Sequence, residues 1–296
     1  MTFIINSAER KLQYDFFNSW DGQVVVSCYG GGLGRLEPGA SSADFATILL
    51  DEKYPQLRSQ GKIQYGEGSR FDDRKYRFRF ATSYFNAGMR VGIHFGLTTY
   101  PEVCADILRD KVENLRLQEE GKSVHGDRWI HFARSLGVAF IPVTLDGSVF
   151  LGKRESSLYP GYLNAAAGNV EYHGVEPKFS VYENQAKVEL CEEFGKDLAI
   201  IGPLRFAGIA SNPIAGDGDM VFVARINVRD SYFESGTWLE HRIDCEHHSE
   251  LVKIRDVADR DCLLESHILR GKEYVGVMAS TSLGLDFLKE EDFLVR

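Results

Sequence analysis

Ala186-Lys-Val-Glu-Leu-Cys-Glu-Glu-Phe-Gly195, with Ala167-Gly-Asn-Val-Glu171 about twenty positions upstream, decides how the rest of the chain is read. On a helix, Glu189, Glu192 and Glu193 stand at i, i+3 and i+4, so their carboxylates share one face. Three like charges that close repel one another unless something positive lies between them. A hard divalent cation answers that need, since Mg²⁺ takes carboxylate oxygens and keeps waters beside a phosphate substrate. A glycine loop leading into such a helix points to phosphate chemistry. The plain alternative is an amphipathic helix that carries the three glutamates on its wet face.

Composition narrows the classes. The 296 residues permit one large domain or two ordinary ones. At 44% hydrophobic and 26% charged, the chain has ample material for a core. A net charge of −9 and a pI near 5.5 argue against a nucleic-acid surface, which needs a basic stripe. An acidic protein that binds a phosphorylated small molecule needs a local cation, which again favours a metal. The five cysteines, Cys28, Cys104, Cys191, Cys245 and Cys262, are scattered without Cys-x-x-Cys spacing, so neither a disulfide framework nor a cysteine zinc site is expected. The N-terminal residues lack a signal-peptide pattern, and no apolar run approaches the roughly 20 residues of a membrane span. A cytoplasmic protein is expected; the oligomeric state is not legible.

Along the chain, Gln23 to Tyr29 reads as a buried strand running into a turn at Gly30 to Gly34. Ser41 to Leu50 reads as a short helix and residues 55–73 as a long connection. Tyr76 to Tyr84 and Arg90 to Thr98, separated by Asn86-Ala-Gly88, suggest an antiparallel pair. A helical pattern starts at Pro101, with Val103, Ile107, Leu108, Val112, Leu115 and Leu117 at roughly helical intervals, and breaks at Gly121 to Gly126. A domain boundary is placed there. Val138 to Thr144 and Val149 to Arg154 flank Asp146-Gly147 as a hairpin. The glutamate helix spans about Val181 to Phe194, with Ser180 and Glu183 spaced as a capping box. Ile200–Leu204, Phe206–Ala210 and Met220–Val228 read as strands, and residues 249–269 as helical in part.

Gly168 and Glu189-Leu-Cys-Glu-Glu-Phe-Gly195 resemble the signature of the Nudix hydrolases: Gly, five residues, Glu, seven residues, Arg-Glu, an aliphatic, any residue, Glu-Glu, any residue, Gly. The strand ending at Arg154 occupies the place of that family's first strand pair. Two departures stand out. Gly168 precedes Val188 by 20 positions, so the loop carries about six extra residues, and Val188 replaces the signature arginine that steadies the glutamates. Lys187 is adjacent but roughly 100° around the helix. Glu176 and Glu183 are candidates for the first signature glutamate. Cys28 to Leu33, Tyr76 to Thr82, Phe95 to Tyr100, Ser135 to Ala139 and Phe206 to Asn212 further resemble a divergent animal branch of the family that cleaves UDP-glucose and UDP-galactose. That branch also has a lengthened, arginine-less signature.

The resemblance implies an α+β fold: a Nudix-type α/β/α sandwich with a mixed sheet over residues 126–296, plus a smaller N-terminal α/β region over 1–125. It implies Mg²⁺-dependent hydrolysis of a UDP-sugar to UMP and sugar 1-phosphate, with Mn²⁺ as the alternative ion. Glu189, Glu192 and Glu193 would be the metal ligands and catalytic residues. Lys153, Arg154 and Gly168 would bind substrate; strand alternation turns Lys153 and Arg154 to opposite faces. Tyr159 or Tyr162 would face the uracil. The partner is then a small nucleotide sugar, with no nucleic acid and no membrane. A non-hydrolysing nucleotide-sugar binder and a hydrolase of another nucleoside diphosphate derivative, such as ADP-ribose, stay open.

Other clusters read as structural. Gly30 to Gly34 lacks the spacing of a nucleotide loop. His241, Cys245, His247 and His248 fit no standard zinc pattern. Asp217 and Asp219 are expected to be solvated turn residues. Arg74, Lys75, Arg77 and Arg79 are expected on a solvated strand face.

Overall fold

Alternation from Arg74 and the mixed run from Met89 do form an antiparallel pair. The computed structural model describes residues 25–30, 74–85, 89–155, 159–170, 179–195, 197–212, 215–241 and 248–294. In its first part β1 (Val25–Gly30), β2 (Arg74–Phe85) and β3 (Met89–Thr99) make a sheet ordered β1-β3-β2, with β1 and β3 parallel. The expected turn after Gly30, the helix at 41–50, the connection at 55–73 and the 86–88 turn lie outside the described residues.

Where the periodicity predicts one helix, the chain builds two, α1 (Tyr100–Leu108) and α2 (Lys111–Glu120). Asp110 is the cause: its Oδ1 accepts from the backbone N–H groups of Val112 at 2.8 Å and Glu113 at 3.4 Å, which caps a new helix. The restart leaves Val112 and Leu115 exposed and buries Leu117. A single π-type turn at Gly121–His125 ends the segment.

From there the sheet of the second part is laid down. β4 (Leu136–Val143) and β5 (Val149–Arg154) follow, then two short strands, β6 (Leu163–Asn164) and β7 (Ala166–Asn169), and the long helix α3 (Phe179–Phe194). β8 (Ile200–Ser211) and β9 (Gly218–Ile226) lead to α4 (Asp230–Glu234) and α5 (Thr237–His241). β10 (His248–Ile254), α6 (Val257–Ser266), the hairpin β11 (Ile268–Leu269) and β12 (Lys272–Glu273), and α7 (Ala279–Phe287) complete the described chain. No helix among the described residues is long and apolar enough to cross a membrane.

The sheet is mixed and ordered β10-β5-β4-β9-β8, with β6 and β7 attached at its centre. β4 runs parallel to β9, is buried along its whole length, and reads as an apolar run rather than an alternation. β4 and β5 share only the register pair Val143↔Val149 beside their turn and then splay. β7 takes up the freed edge of β4 and β6 that of β5, so the sheet is split at its middle.

Helices cover both faces. Val138, Phe140 and Phe222 pack with Tyr182, Ala186, Leu190 and Phe194 of α3 and with Phe233 and Trp238 of α4 and α5. Ala139, Ile141, Val221 and Val223 pack on the other face with Leu263 of α6 and Leu285 of α7. The architecture is therefore an α/β/α sandwich with a mixed sheet. Tyr76 and Phe78 of β2 belong to the α3-side core, and the Phe78 N–H donates to the Arg134 carbonyl at 2.6 Å.

Three expectations are corrected here. β8 is one strand with register shifts rather than two strands. α3 begins at Phe179, so Ser180 lies inside its first turn instead of preceding it. The partly helical reading of residues 249–269 is met by the helix from Val257, behind the Asp256 cap, while residues 248–254 form a strand. Lys75 and Arg77 are buried rather than solvated, because the Arg77 guanidinium donates to the Phe132 carbonyl from Nε at 3.1 Å and Nη2 at 3.0 Å. Replacing Phe140, fully buried between β4 and α3, is a direct test of this core. Phe140→Ala is expected to cost about 3–5 kcal/mol, read as a lowered urea midpoint.

Candidate functional site

Tyr182, Ala186, Leu190 and Phe194 recur every fourth residue and fix α3 on the sheet. Glu189 and Glu193 each precede a member of that stripe, so both turn toward the sheet at its flank. Glu189 is 9% exposed and Glu193 is 3% exposed, which rules out the wet-face alternative for these two. Glu192 is half-buried.

The two carboxylates land on opposite sides of the split sheet. Glu189 lies directly over Gly168 of β7, where any Cβ would collide with both of its oxygens. Its Oε1 also accepts from Gln185 Nε2 at 2.7 Å. On the other side, Glu193 Oε2 is 2.8 Å from Nε2 of His248, which is itself 3% exposed. The His248 imidazole stacks on Phe194 at 5.5 Å and 15° and occupies the space above Gly152 of β5 that a side chain would fill. Helical spacing and two glycines thus place a pair of buried carboxylates over the gap between β4 and β5.

Lys153 and Arg154 lie at the end of β5 beside this gap, both half-buried. The Arg154 backbone is fixed by Tyr162 and Gly161: its N–H donates to the Tyr162 carbonyl at 2.9 Å and its carbonyl accepts from Gly161 at 2.8 Å. Its positive charge acts on Asp219, Tyr159 and Tyr100. Tyr159 is tied by its hydroxyl to Asn212 and meets Tyr162 edge-on at 6.0 Å.

Asp217 and Asp219 are not the solvated turn residues expected. Asp217 is buried, with Oδ1 accepting from the Ser135 N–H at 2.8 Å, and Asp219 is paired in register with Gly137 of β4. Burial, with Asp219 and Asp106 nearby, pushes the Asp217 carboxyl up to about 7. Burial also pushes Asp219 up to about 6, against the opposing pull of Ser280 and Arg154. Burial raises the Cys104 thiol to about 12, and the Tyr100 hydroxyl rises beside it.

The donor set of α3 suits a hard dication in chemistry. Among the described residues no three His, Cys, Asp or Glu side chains gather closely enough to hold a metal on their own. Mg²⁺ commonly needs only one or two protein carboxylates, completing its shell with water and substrate phosphate, and the α3 glutamates are residues that could offer such oxygens.

No family model and no curated protein matches the chain. Among solved structures, it is similar to a MutT NUDIX hydrolase from Burkholderia pseudomallei, at 17% identity and a TM-score of 0.30, over 41% of this chain and 82% of that one. It is also similar to a NUDIX hydrolase from Nitrosomonas europaea, at 16% identity and a TM-score of 0.28, over 41% of this chain and 72% of that one.

His248, Gln185 and Gly152 escape a reading of the sequence. His248 stands in a histidine run whose spacing suggests nothing, and only the pairing of β10 with β5 brings it to Glu193. The Asp217–Asp219 pair carries a faint signal, since i and i+2 share a face once β9 begins.

The Asp217 carboxyl has an ordinary value of 3.8 and is raised to about 7 here, so the folded chain keeps a proton that the unfolded chain releases. The resulting stabilisation is full below about pH 4 and is lost as pH rises to about 7. Asp217→Asn keeps the acceptor for Ser135 and removes the titration. Its gain in melting temperature over the unmodified chain is expected to be roughly 3 °C or more larger at pH 8 than at pH 4. An equal gain at both pH values would contradict the assignment.

Proposed function

We propose that this protein is a divalent-metal-dependent hydrolase of the Nudix type that cleaves the pyrophosphate of a nucleotide sugar. UDP-glucose or UDP-galactose is the substrate in this reading, and UMP and the sugar 1-phosphate are the products. The observation that carries it is the seating of Glu189 on Gly168. The glycine and the glutamate helix are separated in sequence by more residues than the family signature allows, yet they meet in space. Within this reading, residues 1–125 are the N-terminal α/β region and 126–296 the hydrolase domain.

One or two of Glu189, Glu192 and Glu193, rather than all three together, would hold Mg²⁺ or Mn²⁺, with water and substrate phosphate completing the shell. Such an ion supplies charge neutralisation on the phosphate oxygens and a lowered pKa for water. The water oxygen bonds to one phosphorus, and the bridging oxygen departs with the other phosphate. A carboxylate takes the proton that water releases. One of Lys153 and Arg154, which alternation turns to opposite faces at the end of β5, offsets phosphate charge, and the bare backbone at Gly168 leaves Glu189 its place. The exposed Val188 in the arginine position favours a second reading, a nucleotide-sugar binder without turnover.

Incubation of the purified chain with UDP-glucose and Mg²⁺ tests the choice. UMP and glucose 1-phosphate are expected, with kcat reduced about 10²-fold or more in Glu192→Gln. Gly168→Ala, which displaces the Glu189 carboxylate, is expected to lower kcat while the fold persists by circular dichroism. Affinity for UDP-glucose without products across a Mg²⁺ titration would favour the binder.

A further inference from the structure

We propose that His248 is a positioning residue for Glu193: a strand-borne imidazole that donates a hydrogen bond to this carboxylate and fixes its orientation. The inference rests on the hydrolase reading above. An ionised carboxylate only accepts, so positioning by His248 requires the tautomer in which its Nε2, 2.8 Å from Glu193 Oε2, carries the proton. Both side chains are 3% exposed or less in relative terms, in a place where an ionisable group is costly without a partner. At the position where the family signature has arginine, Val188 is 44% exposed and has no donor.

Three features hold the imidazole in one orientation. Phe194 stacks on one face at 5.5 Å. Gly152 leaves the space that the ring fills. β10 is paired with β5 at His248↔Arg154 and again from Glu250↔Lys153 onward, with a register shift between His248 and Glu250, and this pairing holds the strand that carries the ring. With Oε2 held, Oε1 of Glu193 is oriented without a search over rotamers. Partners of this kind, which orient a ligating carboxylate, typically contribute 10–100-fold to metal affinity or activity. A partner that serves packing alone contributes to stability and not to either of these.

Mn²⁺ titration of the full chain, followed by electron paramagnetic resonance of the free ion, reads the effect without turnover. His248→Ala is expected to bind Mn²⁺ about 10–100-fold more weakly, to lose kcat in proportion, and to keep KM for UDP-glucose within about twofold. His248→Gln places an amide donor near the position of Nε2 and is expected to recover most of the affinity. Gly152→Ala pushes the imidazole off Glu193 and is expected to behave like His248→Ala, which covers the case where the alanine variant fails to fold. Folded His248→Ala or Gly152→Ala chains that bind Mn²⁺ as tightly as the unmodified chain would overturn the inference. Mn²⁺ affinity that depends on His248 in a chain that hydrolyses no nucleotide sugar would sustain the inference and overturn the hydrolase reading. An unmodified chain that binds no Mn²⁺ would overturn both.

Discussion

Two carboxylates buried under one helix constrain everything around them. Moving a carboxylate out of water costs several kcal/mol unless partners replace the lost hydration. Glu189 meets this with Gln185 from the preceding turn of the same helix, and Glu193 with His248 from a distant strand. An i, i+4 pair points the same way from a helix, so both groups must fit into the sheet below at points about one turn apart. An unbroken strand pair with side chains at those points would exclude them. The splayed β4–β5 hairpin, with β6 and β7 lining the gap and glycine at 152 and 168, makes room.

The same split organises the opposite face. β6 and β7 are too short to hold themselves, and α7 secures them: the Thr281 hydroxyl donates to Asn164 Oδ1 at 3.0 Å and accepts from the Ala165 N–H at 2.9 Å. Ser280, beside it on α7, acts on the Asp219 carboxyl and opposes its upward shift. Residues Gly137 and Val138 of β4 connect the two sides, pairing with Asp219 and Met220 of β9 on one edge and with Asn169 and Gly168 of β7 on the other. The acidic cluster near Arg154 and the glutamates of α3 are therefore joined through one central strand. A shift of β4 would move both.

Much of this was legible where local pattern and tertiary demand agree. The β4–β5 turn, the β2–β3 pair and the presence of the glutamate helix follow from apolar runs, turn residues and spacing. Errors arise where a local preference is overruled by something distant. Asp110 caps α2 and breaks a periodicity that looked continuous. Arg77 is buried because three loop carbonyls, those of Trp129, Ile130 and Phe132, happen to face it, which no strand pattern encodes. Asp217 and Asp219 look like turn residues because glycines surround them, but the Ser135 N–H holds the Asp217 carboxylate and the parallel pairing of β9 with β4 takes in Asp219. His248 depends on a strand pairing across about a hundred residues, and its neighbours in sequence give no hint of it.

The source of the donor for Glu193 has a mechanical consequence. A cation carried on the glutamate helix would travel with the carboxylate whenever the helix shifted. A donor on β10 instead ties the helix to the sheet, so the carboxylate geometry becomes a property of their docking. β10 sits at the end of the sheet order and is held there by β5 alone among the described strands. An edge strand has one ladder of hydrogen bonds rather than two, and edges open before sheet centres do. Glu193 is thus oriented by an element with less support than the central strands, whereas Glu189 rests on β7 and on its own helix. Of the two buried carboxylates, the one facing β10 is the one whose orientation should respond first to loosening of the fold.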